Sequence, residues 1–403
     1  MKVRLFNLVA IATITLSAQG VAQQNDSLER ALADINPGLA APQGNAGLNI
    51  SGDFRARNRW AKANDNTNNR DVDTRVRLNF LFNVNEAATA GISFNGRESW
   101  GDGGLGLTDG AFDDPRDTKT MERAWVAVNS LMGEGGTAKI GRDYYTVGAG
   151  RILGTDEWDN RPATQSGIWY DYAMDSVSMH FAMLNGVEKG WDGSDNGDDA
   201  VYVASFDWTM DAIEQLGPVH MTPYWMRNED TGAEHQTWLG VHLGGTALGV
   251  DYDIEYSDYE QGDQTGNAWY AGGALHLDAL GEIPGITGGA LHIAMSDSDD
   301  GFATTGTTKY HNAAGFSDRL GAGGIWTADT QTTNLGLGFS PAEGWNGMIS
   351  MISVESAGDE WDEIDVSVGH TFGGNVDGWF GYAMVDEDAG DSDTFWAVLE
   401  LAF

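Results

Sequence analysis

From Gly47 onward the sequence alternates with a period of two, and this constrains the fold more than any other feature. Leu48, Ile50, Phe54 and Ala56 alternate with Ser51, Asp53, Arg55 and Arg57. Val76, Leu78, Phe80, Phe82 and Val84 alternate with Arg75, Arg77, Asn79 and Asn83. Leu248, Val250, Tyr252, Ile254 and Tyr256 alternate with Asp251, Asp253 and Glu255. Successive side chains of a strand point to opposite faces, so each run is a strand with one apolar and one polar face. A half-buried soluble sheet shares that pattern with a membrane barrel. The rhythm of the connections separates them.

Short connections are expected near 84–88, 129–137, 173–176, 209–217, 244–247, 278–287, 340–345 and 373–376. Long stretches rich in Asp, Gly and Asn fall near 61–70, 101–118, 147–164, 188–199, 228–236, 257–267, 297–330, 356–361 and 386–393. Eight short turns and nine long loops join eighteen strands, with both ends of the sheet on the short-turn side. That is the pattern of an all-β, antiparallel up-and-down transmembrane barrel. The span 317–328 has room for two more short strands, which leaves sixteen or twenty open. At 395–403, Phe395, Ala397, Leu399, Leu401 and Phe403 share one face. In lipid no strand edge can stay unpaired, so this strand is expected to close the sheet against the first. It resembles the terminal-Phe signature of bacterial outer-membrane proteins, which implies the barrel assembly machinery as a partner.

Residues 1–22 read as a secretory signal: Lys2 and Arg4, an apolar stretch from Leu5 to Leu16, and Gly20-Val21-Ala22 as the cleavage site. The expected location is the outer membrane of a Gram-negative-type cell, after cleavage near Ala22. No later run is apolar and long enough for a helical span. Residues 23–46 carry capping-box spacing at Asp26-Ser27-Leu28-Glu29 and a stripe of Leu28, Ala31, Leu32 and Ile35 before Pro37. They are expected to form a short periplasmic helix and linker, or else a plug, ahead of a barrel over 47–403. The chain has no Cys, so a large core or a closed barrel must hold it without disulfides. Gly 55 against Pro 8, with Trp 15, Tyr 12 and Phe 15, suits many strands and aromatic belts.

The formal charge is −38, and its distribution is uneven. Residues 23–161 hold 16 basic and 20 acidic groups, whereas 162–403 hold 4 and 40. Nucleic acid is excluded as a partner by this balance. Alternation puts Arg55, Arg57 and Arg59 on one face, with Arg75, Arg77 and Arg97 on the polar faces of the next two strands. Arg on the lipid face costs roughly 2–4 kcal/mol at mid-depth, so these six are expected to point into the lumen. They could contact carboxylates or phosphates of a solute, or pair with Asp53, Asp73 and loop acids to stiffen the wall. Asp251, Asp253 and Glu255 line another strand, and Glu363 shares a face with Asp365. Opposite charges on facing walls give a transverse field that filters ions and orients dipolar solutes.

A denser motif runs through Gly141-Arg142-Asp143, then Gly148-Ala149-Gly150-Arg151-Ile152-Leu153-Gly154, then Glu157-Trp158-Asp159-Asn160-Arg161. With Phe54-Arg55-x-Arg57, Arg75-x-Arg77, and Lys309-Tyr310-His311 followed by Gly315-Phe316-Ser317-Asp318, it resembles bacterial alginate-export-type porins. That resemblance implies an eighteen-stranded pore whose inward-folded loops bear Arg142, Arg151 and Arg161 at the constriction. His311 and Asp318 follow as further candidates. The acidity of this chain departs from the strongly positive lumen of that family. A loop-pinning role for the same three Arg, through carbonyls and Asp156 or Asp159, stays open.

Asp192, Ser194 and Asn196 are spaced like the first half of a calcium loop, but Val203 stands where the bidentate Glu belongs. Ca²⁺ shared with lipopolysaccharide at acidic outer loops is one reading, and solvated loops are the other. No cofactor is expected. No Gly-x-Ser-x-Gly, His-Glu-x-x-His or phosphate loop occurs, and the expectation is no enzyme. The sequence therefore reads as an outer-membrane porin for small hydrophilic solutes, acidic or neutral oligosaccharides among them. The alternatives are a general, cation-leaning porin and a structural or adhesive surface barrel without an open pore. Its surroundings would be lipid and lipopolysaccharide.

Overall fold

The computed structural model describes residues 47–403 apart from 63–67, 102–118, 132, 159–161, 188–199, 211–216, 230–233, 282, 306–307, 310–314, 318, 374 and 388–389. The expected signal segment and linker at 1–46 lie outside the described residues.

The first half of the sheet is β1 (Gly47–Lys62), β2 (Asn68–Asn85), β3 (Ala88–Gly101), β4 (Lys119–Asn129), β5 (Gly136–Asp143), β6 (Gln165–Met174), β7 (Val177–Val187), β8 (Ala200–Met210) and β9 (Val219–Glu229). The second half is β10 (Gln236–Ala247), β11 (Val250–Gln261), β12 (Gln264–His276), β13 (Gly288–Ser298), β14 (Thr330–Ser340), β15 (Trp345–Ser356), β16 (Asp359–Phe372), β17 (Val376–Glu387) and β18 (Ser392–Ala402). Every strand pairs antiparallel with its sequence neighbours, and β1 also pairs with β18, so eighteen strands close into a barrel. At the seam, Arg55 lies opposite Glu400 and Trp60 opposite Phe395. Gly52 and Phe403 exchange backbone hydrogen bonds of 2.8 and 2.9 Å. Gly52 suits that seam because a Cβ there would come within 2.3 Å of the Arg77 carbonyl and 2.8 Å of the Phe403 ring.

The alternation sorts the side chains as the sequence implies. Leu48, Ile50, Val76, Leu78, Phe380 and Leu399 face outward and stay substantially exposed, while Arg55, Arg57, Arg75 and Arg77 point inward and are buried. A closed sheet with an apolar outer band is how strands cross a bilayer, since every ladder group is paired. Aromatic rings mark both ends of the band. Trp60 and Phe395 meet toward the long-loop end, with centroids 5.1 Å apart, and Trp345, His370 and Phe372 toward the short-turn end, at 4.6 and 4.8 Å. Replacing Leu78, whose outward neighbour is Phe94, by Arg is expected to lower folding stability in vesicles by about 2–4 kcal/mol. Denaturant titration of refolding reads the loss, and Leu78→Met should stay near wild type.

Two expected long loops are in fact two-residue turns. Gly262-Asp263 joins β11 to β12, and Ala357-Gly358 joins β15 to β16. Gly262, Ala357 and Gly358 have φ of 58°, 50° and 90°, the left-handed backbone a tight hairpin needs. Their flanks looked like loops because Asp258 and Glu260 sit on the outward face. That face has passed the apolar band there, and the Tyr256 hydroxyl donates to Asp258 at 2.7 Å. Among the described residues, the span 317–328 holds a 3-10 helix, Gly321–Trp326, and adds no strand.

Candidate functional site

Backbone that leaves the ladder and enters a barrel loses its strand partners, and each buried N–H or C=O must find another. The described residues of 144–164, between β5 and β6, do this. Val147, Ile152 and Leu153 are buried against an apolar inward patch of Trp169, Leu184, Val201, Val203, Tyr224 and Met226. The loop turns tightly, with Gly150 N–H donating to the Val147 carbonyl and Val147 N–H to the Leu153 carbonyl, both at 2.9 Å. Gly148 and Gly150, at φ 56° and 87°, make that turn possible. The Thr155 hydroxyl donates to the Ala163 carbonyl at 2.9 Å and draws the neck of the loop together.

The Arg wall supplies the missing donors. Arg55 donates to the Glu157 and Trp158 carbonyls at 2.8 and 2.6 Å. Arg57 donates to the Trp158 carbonyl at 2.5 Å, and Arg75 to the Glu157 carbonyl at 2.9 Å. Carboxylates behind the wall hold the guanidiniums: Arg57 Nε bonds Asp73 at 3.0 Å, and Asp53 takes Arg77 at 2.6 Å and Arg75 at 3.2 Å. Arg77 also meets the Glu157 carboxylate at 2.5 Å and donates to the Tyr144 hydroxyl at 2.9 Å. The Trp158 ring lies 4.4 Å from the Arg57 guanidinium and packs on Trp379 and Trp396, with centroids 5.7 and 5.0 Å away. Arg59 bonds Asp71 at 2.8 Å and lies 5.3 Å from the Trp396 ring.

Acidic strands hold complementary groups. Arg151, at the far side of the loop, reaches Asp253 at 2.7 Å and Glu255 at 2.6 Å, over the Tyr270 ring at 3.6 Å. Between β13 and β14, the described residues of 299–329 form a second inward segment that presents backbone N–H groups. Phe316 N–H donates to Asp365 at 3.2 Å and Ser317 N–H to Glu363 at 2.9 Å. The Ser317 hydroxyl also donates to Glu363. The two segments join each other: Thr305 Oγ1 donates to the Ile152 carbonyl at 2.7 Å, and Lys309 N–H to the Gly150 carbonyl at 3.0 Å. Guanidiniums thus face loop carbonyls, and carboxylates face loop amides.

The other candidates are dispersed. Arg97 sits beside Arg75 across β2–β3. Arg142 shares the outward face of Ile140 and donates to Ser166 at 3.2 Å. Asp251 accepts from Thr246 and contacts His276 at 2.8 Å. Arg161, His311, Asp318, Asp192, Ser194 and Asn196 lie outside the described residues. Among the described residues no group of three or more His, Cys, Asp or Glu could hold a metal. Sequence reasoning missed Trp379 and Trp396, together with the pairing of His180 and His242 to Asp residues. Only strand register brings these together, and the one prior signal was their inward parity.

Burial of the Glu157 carboxyl opposes its ionisation, but the Arg77 and Arg75 guanidiniums overcome this and hold its pKa below the ordinary 4.5. A depressed folded pKa stabilises docking at pH above the ordinary value, and the contribution is lost as pH falls through the folded one. Acidification below 4.5 is therefore expected to loosen the 144–164 loop progressively, read as rising open-channel noise. Glu157→Gln should show that noise already at neutral pH.

No protein-family model matches the sequence. No curated protein matches it either. Solved structures do share the fold. OpdK of Pseudomonas aeruginosa, solved with vanillate, superposes with a TM-score of 0.60 at 13% identity, covering 88% of this chain and 98% of that one. OccD3 (OpdP) of the same organism gives 0.56 at 13%, covering 92% and 97%. OccAB1 of Acinetobacter baumannii gives 0.62 at 10%, covering 88% and 96%. The likeness is one of fold. It does not support the resemblance to alginate-export-type porins. The residues that carried that resemblance, Gly148, Gly150, Arg151 and Trp158, are those an inward-folded loop needs to turn and to dock on two walls.

Proposed function

We propose that the chain is an outer-membrane porin giving passive passage to small hydrophilic solutes. The observation that carries this reading is a closed eighteen-stranded barrel narrowed from within by two charge-held segments. The fold shared with OccK and OccD porins supports the same reading. Affinity for a solute need only be weak, because a tightly held solute would not leave. Export through a signal at 1–22 and contact with lipopolysaccharide around the rim belong to this proposal.

The acidic-sugar reading of the Arg wall is weaker. Arg55, Arg57, Arg75 and Arg77 are buried and spend their donors on Glu157, Trp158 and the acids behind them. Liposome swelling tests the proposal. Vesicles holding the refolded protein should swell in small neutral sugars much faster than empty vesicles, with a size cut-off. Swelling no faster than in empty vesicles would favour the surface barrel without a pore.

A further inference from the structure

We propose that a ladder of carboxylates and imidazoles on β6–β11, and not the Arg wall, sets the charge selectivity of the lumen, favouring solutes with an ammonium or guanidinium group. The proposal rests on the reading of the barrel as a pore.

The ladder follows the register of inward-facing positions. Asp171 on β6 is paired across the sheet with His180 on β7, and its carboxylate lies 2.7 Å from Nδ1. The other ring nitrogen of His180 lies 2.8 Å from Asp207 on β8. Asp207 accepts from the Thr222 hydroxyl of β9 at 2.7 Å, and Thr222 faces His242 of β10. His242 Nε2 lies 2.9 Å from Asp253 of β11, which holds Arg151 of the inward loop. One polar chain thus runs across six strands and ends on the loop. Asp171, His180, Asp207 and Thr222 fall within a few residues of the short turns, in the vestibule that a solute crosses after passing the loops.

Exposure decides which wall a solute meets. The Asp207 and Asp171 side chains are 53% and 43% exposed, whereas those of Arg55, Arg57, Arg59, Arg75 and Arg77 are all below 10%. Arg123 of β4 and Lys139 of β5 are engaged too, both with Asp143. His180 sits between two carboxylates, so Asp171, His180 and Asp207 stay net negative whether or not the ring carries a proton. Water-facing charges act over a Debye length of about 8 Å at physiological salt, enough to bias a vestibule whose wall they line. Buried guanidiniums already matched by Asp53, Asp71, Asp73, Glu157 and Glu400 contribute little net field there.

The test uses the full chain in a planar bilayer under a KCl gradient. Wild type is expected to be cation-selective and to be blocked by spermine added from the short-turn side. Asp171→Asn with Asp207→Asn should lower the K⁺/Cl⁻ permeability ratio severalfold and weaken the block. Thr222→Lys, which adds a cation and keeps every carboxylate, should act in the same direction. Heat-dependent mobility in sodium dodecyl sulfate checks that each variant is folded. An anion-selective wild type, or a ratio unmoved in both variants, would overturn the ladder and leave the porin standing. A folded wild type with no current would overturn both.

Discussion

Replacing Arg55 and Arg57 together by Ala is expected to free the 144–164 loop from the wall while the barrel itself stays closed. The pair carries two bonds to the Trp158 carbonyl and one to the Glu157 carbonyl. Hydrogen bonds to charged groups contribute about 1.5–3 kcal/mol each. Removing Arg57 also takes from the buried Asp73 its partner at 3.0 Å, and breaking a buried pair typically costs about 3–5 kcal/mol. Loop docking should therefore fail under conditions in which the strand ladder survives. Single-channel records should show larger, noisier openings, and limited proteolysis should cut within 144–164. Arg57→Lys should rescue only in part, because an ammonium cannot bond Asp73 and the Trp158 carbonyl with the same fork geometry. A quiet, wild-type channel in the double variant would mean the Arg wall does not hold the loop.

The second large effect is expected at Glu363 and Asp365, which accept from consecutive backbone N–H groups of the 299–329 segment. Glu363→Ala with Asp365→Ala removes both acceptors and leaves the amides of Phe316 and Ser317 without them, at about 1–3 kcal/mol for each unsatisfied group. Glu363→Gln tests the charge alone, keeping the shape beside Gly315, where a Cβ would come within 2.5 Å of Glu363 Oε1. The loss should appear as new protease sensitivity in 299–329. The two segments bond each other through Ile152 with Thr305 and Gly150 with Lys309. Combining these changes with Arg55→Ala and Arg57→Ala should therefore be non-additive, as for groups in one network.

Parity made much of the fold readable in advance. A strand that puts Leu78, Phe80 and Phe82 on one side has to put Arg75, Arg77 and Asn79 on the other, and a slip of one residue would send every Arg into lipid. The closing strand follows from the same alternation, and the count of eighteen from the number of connections. Connections were harder to read, because Asp258 and Glu260 continue β11 beyond the apolar band yet look like loop residues. The partners of the wall could not be read at all. That Arg55 meets a carbonyl 103 positions away at Trp158 depends on where an irregular loop folds, and no local period encodes that. Asp251, Asp253 and Glu255 look alike in sequence but divide their work. Asp253 and Glu255 take Arg151, while Asp251 turns to His276.

The most direct measurement compares open-channel conductance of the wild type with a variant in which residues 147–158 are replaced by a short Gly-Ser linker. That excision removes Val147, Ile152, Leu153, Arg151 and Trp158, and with them the contacts to both walls. If the two charged walls serve to hold a constriction across an open barrel, wild type conducts and the excised variant conducts severalfold more. Equal conductance in the two, or no current from folded wild-type protein, would contradict it.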